Sequence, residues 1–81
     1  MTRLPRDISG TEIVKRLRVL GYIKVRQESS HITCTTTEHG EHHAYVPNHH
    51  PLKIGTQQAV LKDVAQRIGI SLDELLLRLR I

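Results

Sequence analysis

The sequence predicts an α+β domain in the order α-β-β-β-α: a three-stranded antiparallel sheet with helices on one face, plus a short C-terminal helix. Two observations carry that prediction. Apolar residues recur at helical spacing near both ends of the chain, and the stretch between them alternates with period two and is cut by turn residues. Residues 1–7 read as an N-terminal tail punctuated by Pro5, and residues 8–81 as a single domain.

The first helix opens at Ser9-Gly10-Thr11-Glu12, a capping box in which Ser9 and Glu12 satisfy each other's orphan amides. Ile13, Leu17 and Leu20 form its apolar stripe, Val14 widens it, and Gly21 ends the helix as a left-handed cap. From Tyr22 to Gln27 the period changes to two. That alternation predicts Ile23 and Val25 on the covered face, with Tyr22, Lys24 and Arg26 on the other. Glu28-Ser29-Ser30 reads as a turn. His31–Thr37 has strand composition, with Ile32 and Cys34 inward and His31, Thr33 and Thr35 outward. Around Gly40 a second turn leads to His42–Val46, with Ala44 and Val46 inward and His43 and Tyr45 outward.

Pro47 stops the third strand, and Asn48-His49-His50-Pro51 is a loop. The second helix is expected to begin after Gly55 with Thr56 as its N-cap, to bury Val60, Leu61, Val64 and Ile68, and to end at Gly69. Ser71-Leu72-Asp73-Glu74 is another capping box, opening the final helix with Leu72, Leu75, Leu76 and Leu79 on its apolar side.

Composition narrows the function classes. Twelve Lys and Arg stand against eight Asp and Glu, a formal charge of +4 at pH 7, and the isoelectric point is near 9.7. That balance favours an anionic partner such as nucleic acid, an acidic protein or a lipid surface. No apolar run approaches the ~20 residues that span a bilayer. The N-terminus shows no signal-peptide pattern, and the expected location is the cytoplasm. The single cysteine, Cys34, excludes an internal disulfide and a CxxC zinc site, and its inward position makes it a small core residue. His39, His42, His43, His49 and His50 crowd two loops and one strand but match no zinc-ligand spacing, so no metal is expected.

The chemistry-bearing residues gather on the outward face. His31 lies there, and alternation places Lys24 and Arg26 beside it. On these residues alone, a strand histidine is more often a solvated or structural group than a catalytic one. Ser29 and Ser30 either donate to phosphate or shape the turn. Lys53, with the amides around Thr56 at a helix N-terminus, makes a second phosphate site.

The order of elements is that of double-stranded-RNA-binding domains, and the junctions narrow it further. Gly21-Tyr22, Arg26-Gln27-Glu28-Ser29-Ser30-His31, Val46-Pro47-Asn48-His49 and Gly55-Thr56 occur in one order over about residues 8–78. In these the chain resembles the HicA toxin family, small ribonucleases of toxin–antitoxin pairs that cleave messenger RNA. The resemblance implies a metal-independent endoribonuclease with His31 as general acid/base, no cofactor, an mRNA substrate and a HicB-type antitoxin as partner. It adds His49 to the expected RNA contacts of Lys24, Arg26, Ser29, Ser30, Lys53 and Thr56. Two positions depart from the family pattern: Ser29 stands where glycine is usual, and Gln57 follows Thr56 where many members carry Leu. The Ser29 departure keeps open an alternative, a non-catalytic double-stranded-RNA-binding module of the same fold.

Overall fold

The computed structural model describes residues 4–81. Its elements follow the predicted order: α1 (Gly10–Leu17) with a 3₁₀ turn (Arg18–Leu20), β1 (Ile23–Gln27), β2 (His31–Thr36), β3 (His42–Pro47), α2 (Ile54–Ile68) and α3 (Leu72–Leu79). The strands form one antiparallel sheet in the order β1-β2-β3. The helices supply one apolar layer and the sheet the other. Ile13, Leu17, Leu61, Val64, Leu75 and Leu79 close over Ile32, Cys34 and Val46, all at most 1% exposed. Burying each such aliphatic side chain contributes about 1.5–3 kcal/mol.

The caps form largely as the sequence predicts. Ser9 Oγ accepts from the Glu12 amide (3.0 Å) and Ser71 Oγ from the Glu74 amide (3.1 Å). The reciprocal half of each box is absent. Each glutamate instead turns one turn forward, Glu12 to Arg16 (2.9 Å) and Glu74 to Arg78 (3.3 Å), as exposed carboxylate–guanidinium pairs four residues apart do.

Two elements depart from the expectation. In β1 the predicted faces fail from Tyr22 to Val25 and hold at Arg26. Tyr22 is buried, whereas Ile23 and Val25 are 66% and 61% exposed. The cause is a bulge: Lys24 pairs with Cys34, but Arg26 pairs with Thr33, so the register slips by one between them. Cross-strand partners share a face. Lys24 therefore lies on the helix side with Cys34, while Ile23 and Arg26 lie on the open side with Thr35 and Thr33. A single inserted residue defeats the period-two reading.

The second departure is the start of α2. The N-cap is Lys53, in extended backbone and without a side-chain cap, and Thr56 falls inside the first turn. Gln57 explains the earlier start. Its buried side-chain amide donates to the carbonyls of Leu52 (3.0 Å) and Pro5 (2.7 Å), and its backbone N–H closes onto the Lys53 carbonyl (2.9 Å). The Nε2 of this buried side chain thus ties the first helical turn to two carbonyls, while its Oε1 is left without a partner.

Tyr22 is seated by a polar chain that runs from the core to the surface. Its hydroxyl lies 2.7 Å from His42 Nδ1, and His42 Nε2 lies 3.1 Å from Asp63 Oδ2 on α2. A neutral His42 carrying its proton on Nε2 satisfies both ends at once, accepting from the tyrosine and donating to the carboxylate. Burial first, and the Asp63 charge second, push the Tyr22 phenol above its ordinary value. Gly21 makes this placement possible: at φ 89° it turns the chain from the 3₁₀ segment into β1.

Gly10 meets a different constraint. A Cβ there would overlap the Pro47 carbonyl oxygen and lie 3.3 Å from a Val46 methyl. The first turn of α1 rests directly on the end of β3.

Two outcomes follow for stability. Gly10→Ala should lower the unfolding free energy by about 1–3 kcal/mol in urea titration, the usual cost of overpacking, while the exposed Thr11→Ala stays within about 0.5 kcal/mol. Tyr22→Phe should cost about 1–3 kcal/mol at neutral pH by leaving His42 without its partner. Because the folded-state phenol titrates above its unfolded value, wild-type stability should fall as pH rises past about 10. Tyr22→Phe should remove that part of the alkaline loss, measured as unfolding midpoint against pH.

Candidate active site

His31 is the first residue of β2, exposed on the open side of the sheet and paired across to Pro47. Its backbone is held from two directions. The Glu28 amide donates to the His31 carbonyl (2.8 Å), closing the β1–β2 turn, and the Asn48 amide donates to the Ser30 carbonyl (2.9 Å). The imidazole Nδ1 lies 3.0 Å from Ser30 Oγ. A hydroxyl oxygen can accept the Nδ1 proton, which leaves the Nε2 lone pair facing solvent.

The bulge brings Arg26 to this face, in register with Thr33 beside the His31 row. Its guanidinium lies 3.5 Å from Glu28, both side chains largely exposed, a pair of small energetic weight. Lys24 is not where alternation predicted it. It sits on the opposite side of the sheet, donates to Gln27 Oε1 (2.9 Å), and with Arg18 lines a hollow beside Gly21, Tyr22 and Glu38. The open face is correspondingly less basic than expected. Along with Arg26 and His31 it carries Ile23, Thr33, Thr35, His43 and an exposed Tyr45.

The remaining expected contacts cluster by backbone rather than by side chain. Ser29 and Ser30 are exposed in the β1–β2 turn next to His31. His49 is exposed in the loop after β3, and its carbonyl accepts from the Gly10 amide (2.9 Å) at the start of α1. Farther along that loop, the Leu52 amide donates to the Ile8 carbonyl (2.7 Å). Lys53 and Thr56 follow at the N-terminus of α2, exposed and half-buried respectively. One end of the domain thus carries the β1–β2 turn, the end of β3 and the start of α1, with the start of α2 one loop away.

The other histidines disperse. His42 is buried against Tyr22; His43 meets Thr35 (2.8 Å) and Glu41 (3.4 Å) on the open face; His50 pairs with Asp7 (3.2 Å). Among the described residues no three His, Cys, Asp or Glu side chains converge as metal ligands. Cys34 is fully buried, and burial raises its thiol pKa against the opposing pull of Lys24 and Arg18. A thiol so placed is an inert core group rather than a nucleophile. Also among the described residues, no helix is long and apolar enough to cross a membrane.

The sequence reading missed the Tyr22–His42–Asp63 chain. Half of it was visible, because His42 shares the inward alternation of Ala44 and Val46. Tyr22 carried no such signal, since the bulge reverses its strand.

No curated protein and no solved structure matches the chain. A family model described as the HicA toxin of bacterial toxin-antitoxin matches residues 10–65, from the first turn of α1 through the whole sheet and most of α2. The matched span carries His31 and the turns and strand ends that hold it, and on that span the chain belongs to the HicA toxin family.

Proposed function

We propose that this chain is an endoribonuclease toxin that cleaves messenger RNA on its open sheet face and is silenced by a HicB-type antitoxin covering that face. The observation that carries the reading is His31, exposed, backbone-anchored, with Nδ1 on Ser30 and Nε2 free. In the reaction Nε2 takes the proton of a ribose 2′-hydroxyl, and the resulting oxygen attacks the adjacent phosphorus. The P–O5′ bond breaks, and the 5′-oxygen leaves with a proton from a second donor. The products are a 2′,3′-cyclic phosphate and a 5′-hydroxyl, and no metal is needed.

Arg26 supplies the cation nearest the accumulating phosphoryl charge. Ser29, Ser30 and His49 border the scissile position. Lys53 and the free amides of the first turn of α2, Thr56 among them, hold a neighbouring phosphate. Tyr45 offers a ring on which a base can stack. Ser29, in place of glycine, is exposed in the turn, and its backbone does not take the positive φ that would call for glycine.

The test uses purified chain and a long single-stranded RNA in the presence of chelator. Wild type should cut, and His31→Ala should lose about 10²–10⁴-fold in rate, as removal of a general base does. RNA bound equally by both proteins and cut by neither would overturn catalysis and leave the binding-module reading; cleavage unchanged in His31→Ala would displace His31. Cleavage that needs a divalent ion would overturn the metal-free route.

The two β1 cations divide the same assay. Arg26→Ala should slow cleavage by about tenfold through lost charge stabilisation. Lys24→Ala, acting from the other side of the sheet, should change it by less than about twofold, since exposed charges are screened over that distance.

A further inference from the structure

The strongest concentration of charge outside the proposed active site lies in the helical layer. A groove of about 450 Å³ runs between α1 and α3, lined by Lys15, Arg16 and Val19 on one side and Arg78, Leu79 and Arg80 on the other. Glu12 is the one carboxylate in its lining, and it is already engaged by Arg16. Arg78 is likewise oriented by Glu74. Lys15 and Arg80 have no ion-pair partner among the described residues, so their charge is available to a ligand. Val19 is 69% exposed in the middle of these cations, and Leu79, 1% exposed, forms the floor. Arg80 caps α3 at φ 59°, a left-handed position that favours glycine, and there it carries a long cationic side chain into the groove lining.

We propose that this groove binds a short acidic amphipathic peptide segment of a partner protein. An aliphatic side chain of the segment packs on Val19 and Leu79, and flanking carboxylates pair with Lys15 and Arg80. Arg16 and Arg78, held in place by their own glutamates, define the rim. The chemistry selects peptide over RNA. The lining offers no aromatic ring as a stacking platform for bases, whereas an exposed aliphatic between guanidinium groups matches the apolar-plus-carboxylate pattern of a helix or strand laid into a groove. The site belongs to the helical side of the domain, so its occupation leaves the open sheet face accessible. Arg78, Leu79 and Arg80 lie beyond the family match, which ends at residue 65. One wall of the groove therefore lies outside the matched span, and the proposal does not rest on the ribonuclease reading.

The probe is a fluorescein-labelled helical peptide with glutamates flanking a leucine on one face, measured by anisotropy beside a copy with glutamine for glutamate and a labelled single-stranded RNA. The acidic peptide should bind the wild type, weaken as salt rises, and bind better than the glutamine copy by at least about tenfold. Lys15→Gln combined with Arg80→Gln should weaken the acidic peptide by about tenfold or more, and Val19→Ser by several-fold, with RNA binding and cleavage unchanged. These side chains are exposed, and circular dichroism checks that each variant keeps the wild-type fold. Failure of the acidic peptide to bind the wild type, or equal binding to the double variant, overturns the proposal. Loss of RNA binding in the double variant also overturns it, by making the groove a nucleic-acid site.

Discussion

The contact on which the rest of the structure depends is the seating of the first turn of α1 on the end of β3. Gly10 lies against the Pro47 carbonyl with no room for a side chain, and its amide donates to His49. Two residues earlier, Ile8 accepts from Leu52. The same strand end is paired to His31, and the next residue, Asn48, holds the carbonyl of Ser30. Helix, loop and turn are therefore referenced to one short stretch of backbone. The histidine needs no supporting side chain beyond Ser30, because its position is set by hydrogen bonds that also hold the fold together. Function and packing share the same atoms at this end of the domain.

The two ends of the sheet are organised in opposite ways. Near His31 the polar groups are exposed and backbone-anchored. At the far end of β2, where Thr36 pairs with His42, Tyr22 and His42 are buried against each other, and His42 reaches out to the exposed carboxylate of Asp63. Tyr22 and His42 hold each other in place, since either one left alone would carry a buried polar group without its partner. The excess positive charge is divided as well: Arg26 on the open side, Lys24 and Arg18 near the edge of the covered side, and four cations between α1 and α3.

What the sequence reveals is mostly what is local. Both serine caps, the apolar stripes and the inward set of β2 and β3 depend on neighbours a few residues away, and all appear as read. Where the reading fails, the deciding partner is distant. Tyr22 is buried through His42, twenty positions on, and the bulge that reverses β1 exists only in its pairing with β2. The start of α2 moves because Gln57 reaches back to Pro5. The candidate site divides along the same line. Placing His31 outward, with Ser30 beside it, required only alternation and adjacency. Putting Lys24 beside His31 required the register of a neighbouring strand, which no spacing encodes. Gly10 gives no sequence signal either, since the backbone it touches lies far along the chain.

The bulge in β1 has an effect on self-association. β1 is an edge strand whose five residues are all exposed, two of them β-branched aliphatics. A regular edge of that composition is a template for another chain's strand, the first step toward aggregates. Here the spacing of donors and acceptors is broken between Lys24 and Arg26, and a cation stands on either side of the break. An incoming strand finds neither a continuous ladder nor an uncharged surface. The slip that hides the strand's faces from pattern reading also protects the edge, and it allows Ile23 and Val25 to lie open to water without templating a further strand.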